Sequence, residues 1–194
     1  NAMIHEADNW GAKVDKKGIA PTYRWGIGER DEFSLGLYHL ETDGRPLYSH
    51  PQVLRNGVIT PVVDAKNYYG MASDYLRTQT TNGTLSHTRR LDTDHEIKTV
   101  IRHGNYSRDL VGSANRFDRG TTSVDRLTPI TRSPKARRAE SEITQIQSDY
   151  NGNFNWSGKK HSVIAGLDIF DEQAARNNSA ASGLSNELTY VGTP

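Results

Sequence analysis

The feature that most constrains this chain is a strict two-residue alternation from Gln145 to Trp156. Gln145, Gln147, Asp149, Asn151, Asn153 and Asn155 share one parity. Ile146, Ser148, Tyr150, Gly152, Phe154 and Trp156 share the other. One side is wholly polar and the other holds every apolar group, which is the pattern of a β-strand with one wet and one apolar face. A strand of about 12 residues is twice the usual length. The theme recurs. Val163, Ala165, Leu167 and Ile169 share a parity, as do Phe33, Leu35 and Leu37, and Tyr23, Trp25 and Ile27. Ile97, Thr99, Ile101 and His103 alternate with Lys98, Val100 and Arg102. Thr78 to Leu91 is extended but alternates weakly, and Ala2 to His5 reads as the end of a strand.

Connections between these segments sort by length. Gly28 to Glu32, Leu91 to Glu96 and Trp156 to His161 are tight. Ala7 to Lys17, Asp43 to Asp74, Asp109 to Glu140 and the stretch after Glu172 are long. Short and long alternate, and loops beyond about 12 to 15 residues are uncommon in compact domains. A transmembrane β-barrel has this pattern, with short periplasmic turns and long outer loops. The fold class expected is therefore all-β, an antiparallel meander forming part of a large transmembrane barrel. About seven strands are legible, and single-chain bacterial barrels close with an even number. The expectation is that residues 1–194 are a partial barrel domain, with the remaining strands elsewhere. Tyr150, Phe154, Trp156, Val163, Leu167 and Ile169 should face lipid, and Gln147, Asp149, Asn151 and Asn153 the lumen.

Composition narrows the chemistry. Lys and Arg total 24 against 23 Asp and Glu, a net charge of +1, which argues against a nucleic-acid binder. The chain has no Cys, so disulfides, Cys-ligated zinc and thiol catalysis drop out. The seven His lack metal-ligand spacing. Gly26-Ile27-Gly28 lacks the third Gly and following helix of a dinucleotide site. No Ser/His/Asp set or carboxylate pair stands out, so no enzyme, cofactor or metal site is expected.

One stretch does suggest a ligand. Between Arg116 and Arg138 lie seven cations and two acids. Six of those cations are Arg116, Arg119, Arg126, Arg132, Arg137 and Arg138, with Lys135 the seventh. Arginine suits two-pronged capture of planar anions. The other readings of this stretch are a solvated loop or one pairing with lipopolysaccharide phosphates. Tyr68 and Tyr69 are candidate ligand contacts, or else loop packing or an interfacial girdle.

The segments Asn67-Tyr68-Tyr69-Gly70-Met71-Ala72-Ser73-Asp74-Tyr75 and Ile97 to Asp109 resemble TonB-dependent siderophore receptors of the catecholate type. So do Asn1 to His5, Trp25-Gly26-Ile27-Gly28 and Leu37-Tyr38-His39-Leu40, in the same order; the likeness runs to about Phe170. The resemblance implies a barrel of about 22 strands around a plug. It implies a bacterial outer-membrane location, with outer-membrane lipid and lipopolysaccharide around the wall. The cargo implied is a ferric siderophore, an anionic iron chelate, passed inward with the receptor's own plug domain and the TonB complex as partners. No TonB box, plug or closing strand is read in this stretch. A passive porin-like barrel and a soluble all-β carbohydrate-binding module are the alternatives.

Overall fold

The computed structural model describes residues 1–177 and 183–194. Every regular element among them is a strand. They run β1 (Ala2–Asn9), β2 (Ala12–Ile19), β3 (Thr22–Trp25), β4 (Asp31–Arg45), β5 (Gln52–Arg55), β6 (Val58–Pro61), β7 (Tyr75–Arg90), β8 (His95–Arg116), β9 (Pro129–Trp156), β10 (Lys159–Asn177) and β11 (Glu187–Tyr190). The wall is the antiparallel order β1-β2-β4-β7-β8-β9-β10, so each long strand lies beside its sequence neighbour. β3 continues β2 in the same register on β4, with Ile19 opposite His39 and Thr22 opposite Gly36. The interruption is Pro21, which has no N–H to donate but whose carbonyl still accepts from Leu37 at 3.0 Å. Counting β2 and β3 together, the expected seven-strand meander is what forms.

Two expectations about loops fail. Ala7 to Lys17 is no long loop: β1 and β2 meet at a two-residue turn, Trp10-Gly11, with φ of +49° and +88°. Both residues are left-handed, as a type I′ hairpin requires. Trp there is sterically poor, so composition gives no hint of a turn. Gly11 has a second reason, because a Cβ would sit 2.8 Å from the Tyr68 side chain. The short/long alternation therefore breaks at this end.

The Arg-rich stretch is likewise mostly strand. β8 runs on to Arg116 and β9 begins at Pro129, so the connection shrinks to residues 117–128. The first long loop shrinks to residues 46–74 and contains the β5–β6 hairpin, turned at Asn56-Gly57. Strands continue here without alternating hydrophobicity because both faces are wet, and a β-ladder needs only paired amides.

Register fixes the faces. His161, Val163, Ala165 and Ile169 stand opposite Phe154, Gly152, Tyr150 and Ile146. Ile97 and Ile101 face Tyr150 and Ile146 from the other side, and Leu85 and Leu35 extend the row. One face thus carries a continuous apolar band. Rings stack at its lower rim, with centroids of Tyr23–Trp25, Trp25–Phe33 and Phe33–His87 at 5.6, 5.2 and 4.4 Å. Gln147, Asp149, Asn151 and Asn153 lie on the opposite face. There Glu32 takes Arg90 at 2.9 Å and also Arg24, tying the lower ends of β3, β4 and β7 together.

Candidate functional site

The two faces differ in charge. Across the wall strands, the polar face presents Arg or Lys at eleven positions and Asp or Glu at five. On the other face carboxylates outnumber cations, and four cations form an ion pair with the acid directly opposite on the next strand. These pairs are Lys17–Glu41 at 2.9 Å, Arg77–Asp43 at 3.4 Å, Arg89–Asp31 at 3.3 Å and Arg138–Asp109 at 3.1 Å. A trough of about 510 Å³ crosses six strands at the level of three of them, and its lining also includes Lys16 and Arg108, which pair with no acid among the described residues.

The polar face is different toward the long-loop end. Arg137, Lys135 and Arg116 point from β9 and β8 to this side. None of the three makes an ion pair among the described residues. Arg119 and Arg126 are exposed in the connecting loop. Of the six predicted arginines, Arg116, Arg119, Arg126 and Arg137 are therefore available to a ligand. The other two hold the wall: Arg138 pairs with Asp109, and Arg132 donates Nε–H to the Tyr69 carbonyl at 2.8 Å.

The tyrosines are structural in the same way. Tyr69 is 0% exposed, and its hydroxyl donates to the Val191 carbonyl at 2.9 Å while accepting from Asn67. Tyr68 lies across Gly11 and donates to the Pro46 carbonyl at 3.3 Å. Burial, reinforced by Asp74, pushes its hydroxyl up to about 12. These contacts fasten residues 46–74 over the sheet, and Asp74 and Ser49 complete the job. β7 ends opposite Val111, which leaves the β8 edge bare above it. Asp74 accepts the Ser113 N–H at 3.0 Å and its hydroxyl at 2.9 Å, and Ser49 Oγ accepts the Asn115 N–H at 2.7 Å. Side chains thus replace the missing strand.

Sequence reading missed Lys16 and Arg108. They are far apart in the chain and meet only through the register, where Lys16, Thr42, Thr78 and Arg108 form one cross-strand row on the polar face. Parity along each strand was the available signal.

No family model matches the chain. Among curated proteins, the catecholate siderophore receptor Fiu of Escherichia coli O157:H7 is 24% identical over 187 residues, covering 87% of this chain and 24% of that protein. The K12 strain's Fiu is 22% identical over 184 residues. Among solved structures, the ferric-catecholate import receptor Fiu from E. coli K12 in its open form gives a TM-score of 0.77 at 20% identity over 89% of this chain and 29% of its own. BauA, the ferric preacinetobactin receptor of Acinetobacter baumannii, gives 0.82 at 10% identity over 100% of this chain and 28% of its own. The fold is that of a section of these receptors' barrel walls. The likeness drawn from the residues stands, and the chain spans about a quarter of the curated relatives it matches. The wall is open here, with β1 and β10 as its two edges.

Proposed function

We propose that this chain is a wall segment of a bacterial outer-membrane receptor for TonB-dependent uptake of ferric siderophores. The observation that carries the reading is the charge sorting of the faces, on a fold shared with siderophore receptors. The polar face would close on the lumen, and the apolar band would meet lipid. An anionic iron chelate arriving from outside meets Arg119 and Arg126 first, then Arg116, Lys135 and Arg137 at the upper wall. Their guanidinium forks match the oxygen edges of such a chelate. Iron travels as cargo inside its chelator, so binding requires no metal ligand from the wall and no bond is made or broken. The receptor's own plug domain would pack on the polar face, and the TonB complex would supply the energy for release inward. Outer-membrane lipid and lipopolysaccharide would surround the other face.

The test uses the full-length receptor. Arg116, Arg119, Arg126 and Arg137 are replaced together by Gln, and affinity is measured for an iron(III) tris-catecholate trianion and a neutral iron(III) tris-hydroxamate. Affinity for the trianion should fall roughly tenfold or more at low salt and lose much of its salt dependence, because exposed charges are screened over about 8 Å at physiological ionic strength. Unchanged affinity and salt slope for the trianion would overturn the reading.

A further inference from the structure

The polar face holds a zone without carboxylates, below the predicted arginines and unconnected to them in sequence. Its centre is the row His5, Lys16, Thr42, Thr78, Arg108, Ala139 and Arg176, one residue from each successive wall strand. The row above it contains Ala7, Val14, Gly44, Leu76, Leu110 and Arg137. The row below contains Met3, Gly18, Leu40, Thr80, Tyr106, Ser141 and Ala174. No acid occurs in the three, and the first below them is Glu172 opposite Ile143. Lys16 and Arg108 make no ion pair among the described residues. The cations opposite this row on the outer face are instead matched one to one with acids.

From this juxtaposition we infer that the Lys16–Thr42–Thr78–Arg108 row is a second anion station on the inner wall, for a chelate presenting carboxylate or catecholate oxygens. The inference rests on the uptake reading above and adds a site within it. Strands lie about 4.8 Å apart, so Lys16 and Arg108 stand about 14 Å apart. Two threonine hydroxyls fill the gap between them. A multiply charged chelate can therefore bridge a cation on each side and accept hydroxyl donors between, which a monoanion cannot. No carboxylate shares these three rows of the polar face, so the row's cations meet no acid on the side an incoming anion approaches, as in the Arg and Lys rings of anion pores. Arg137 sits one row up from Ala139, so the station joins the upper cations without a gap.

The test compares three forms of the full-length receptor: unaltered, the mouth variant Arg116→Gln/Arg119→Gln/Arg126→Gln, and the row variant Lys16→Gln/Arg108→Gln. Each is titrated with the iron(III) tris-catecholate trianion and the neutral iron(III) tris-hydroxamate at low and high salt. A charge-keeping control, Lys16→Arg/Arg108→Lys, accompanies the row variant, and limited proteolysis reports whether the plug stays seated. The row variant should lose about tenfold in trianion affinity at low salt with little loss at high salt. It should keep the neutral complex, and the control should restore binding. Loss in the row variant alone supports the station while removing the mouth reading. Loss in the mouth variant alone overturns the station and leaves the uptake reading standing. Equal loss for both probes, or a plug made protease-sensitive by the row variant, overturns the station and assigns the row to holding the plug. An unaltered receptor that binds neither probe overturns both.

Discussion

The apolar band makes a quantitative prediction at Leu167. On β10 the outward positions run from His161, opposite Phe154 at the lower aromatic rim, to Asp171, the first acid above the band. Ten residues at about 3.3 Å, tilted about 40°, span about 25 Å, the height of an outer-membrane apolar belt. Leu167 lies four residues below Asp171, about 10 Å under the upper rim on the same arithmetic. Ile169 lies about 5 Å under it. A lysine stem reaches about 6 Å, so Lys at 169 snorkels clear and Lys at 167 does not. Leu167→Lys should therefore cost about 2 to 4 kcal/mol and Ile169→Lys about 0 to 1. Asn151→Lys, on the polar face, should cost less than Leu167→Lys. The assay is reversible denaturant unfolding of the full-length receptor in phospholipid vesicles, with free energies taken at a common denaturant concentration. Equal costs at 167 and 169 would refute the depth assignment, and equal costs at 167 and 151 would refute the assignment of faces.

Three further outcomes follow from the loop clamp and turns. Asp74→Ala strands the buried Ser113 N–H and should weaken the 46–74 anchor by about 2 to 4 kcal/mol, read as faster amide exchange across that loop; unchanged exchange would refute the clamp. Gly158→Ala meets nothing within 4 Å, so only its φ of +73° is at stake, and the cost should be about 1 to 2 kcal/mol in unfolding experiments. Tyr68 should be the last phenol to ionise in an alkaline absorbance titration, near about 12, and Tyr68→Phe should remove that step. Its folded value lies above the ordinary 10, so the unfolded chain loses the proton first, and the stability it contributes fades as pH rises from about 10 to about 12.

How much was legible depended on depth in the membrane. Between Ile146 and Trp156, lipid on one side and water on the other force a contrast at every step, and strand, face and partner register can all be read. Above the band that contrast disappears. Lys13, Asp15 and Lys17 alternate with Val14 and Lys16, and nothing in that pattern separates strand from loop. The same holds for Ser133 to Arg138, so β9 is 28 residues long where twelve were legible. Asn56-Gly57, flanked by Val53-Leu54 and Val58-Ile59, has the chemistry of a hairpin turn even though it lies within a long connection. Trp10-Gly11 does not, because tryptophan is a poor left-handed residue and the approach of Tyr68 to Gly11 exists only in the folded chain. Sequence leaves Tyr69 open between ligand contact and loop packing, because its burial depends on Val191 and Arg132, partners 122 and 63 residues away.

The same physics explains why the charges sort. A strand rising out of the membrane still has two faces, and each must do something with its long polar side chains. On the outer face several upper cations stand directly across from an acid, as Arg77 and Asp43 or Arg138 and Asp109 do, and cross-strand pairs of opposite sign are worth about 0.2 to 1 kcal/mol each. Such pairs are weak singly but set register where hydrophobic contrast no longer does. On the inner face the same positions carry Leu110 opposite Arg137 and Ala139 opposite Arg108, pairings that add nothing to register and leave the cation free. A wall built for stability alone would place acids on both faces. Here matched pairs contribute to register on one face, and on the proposed uptake reading the cations of the other face keep their charge for an incoming chelate.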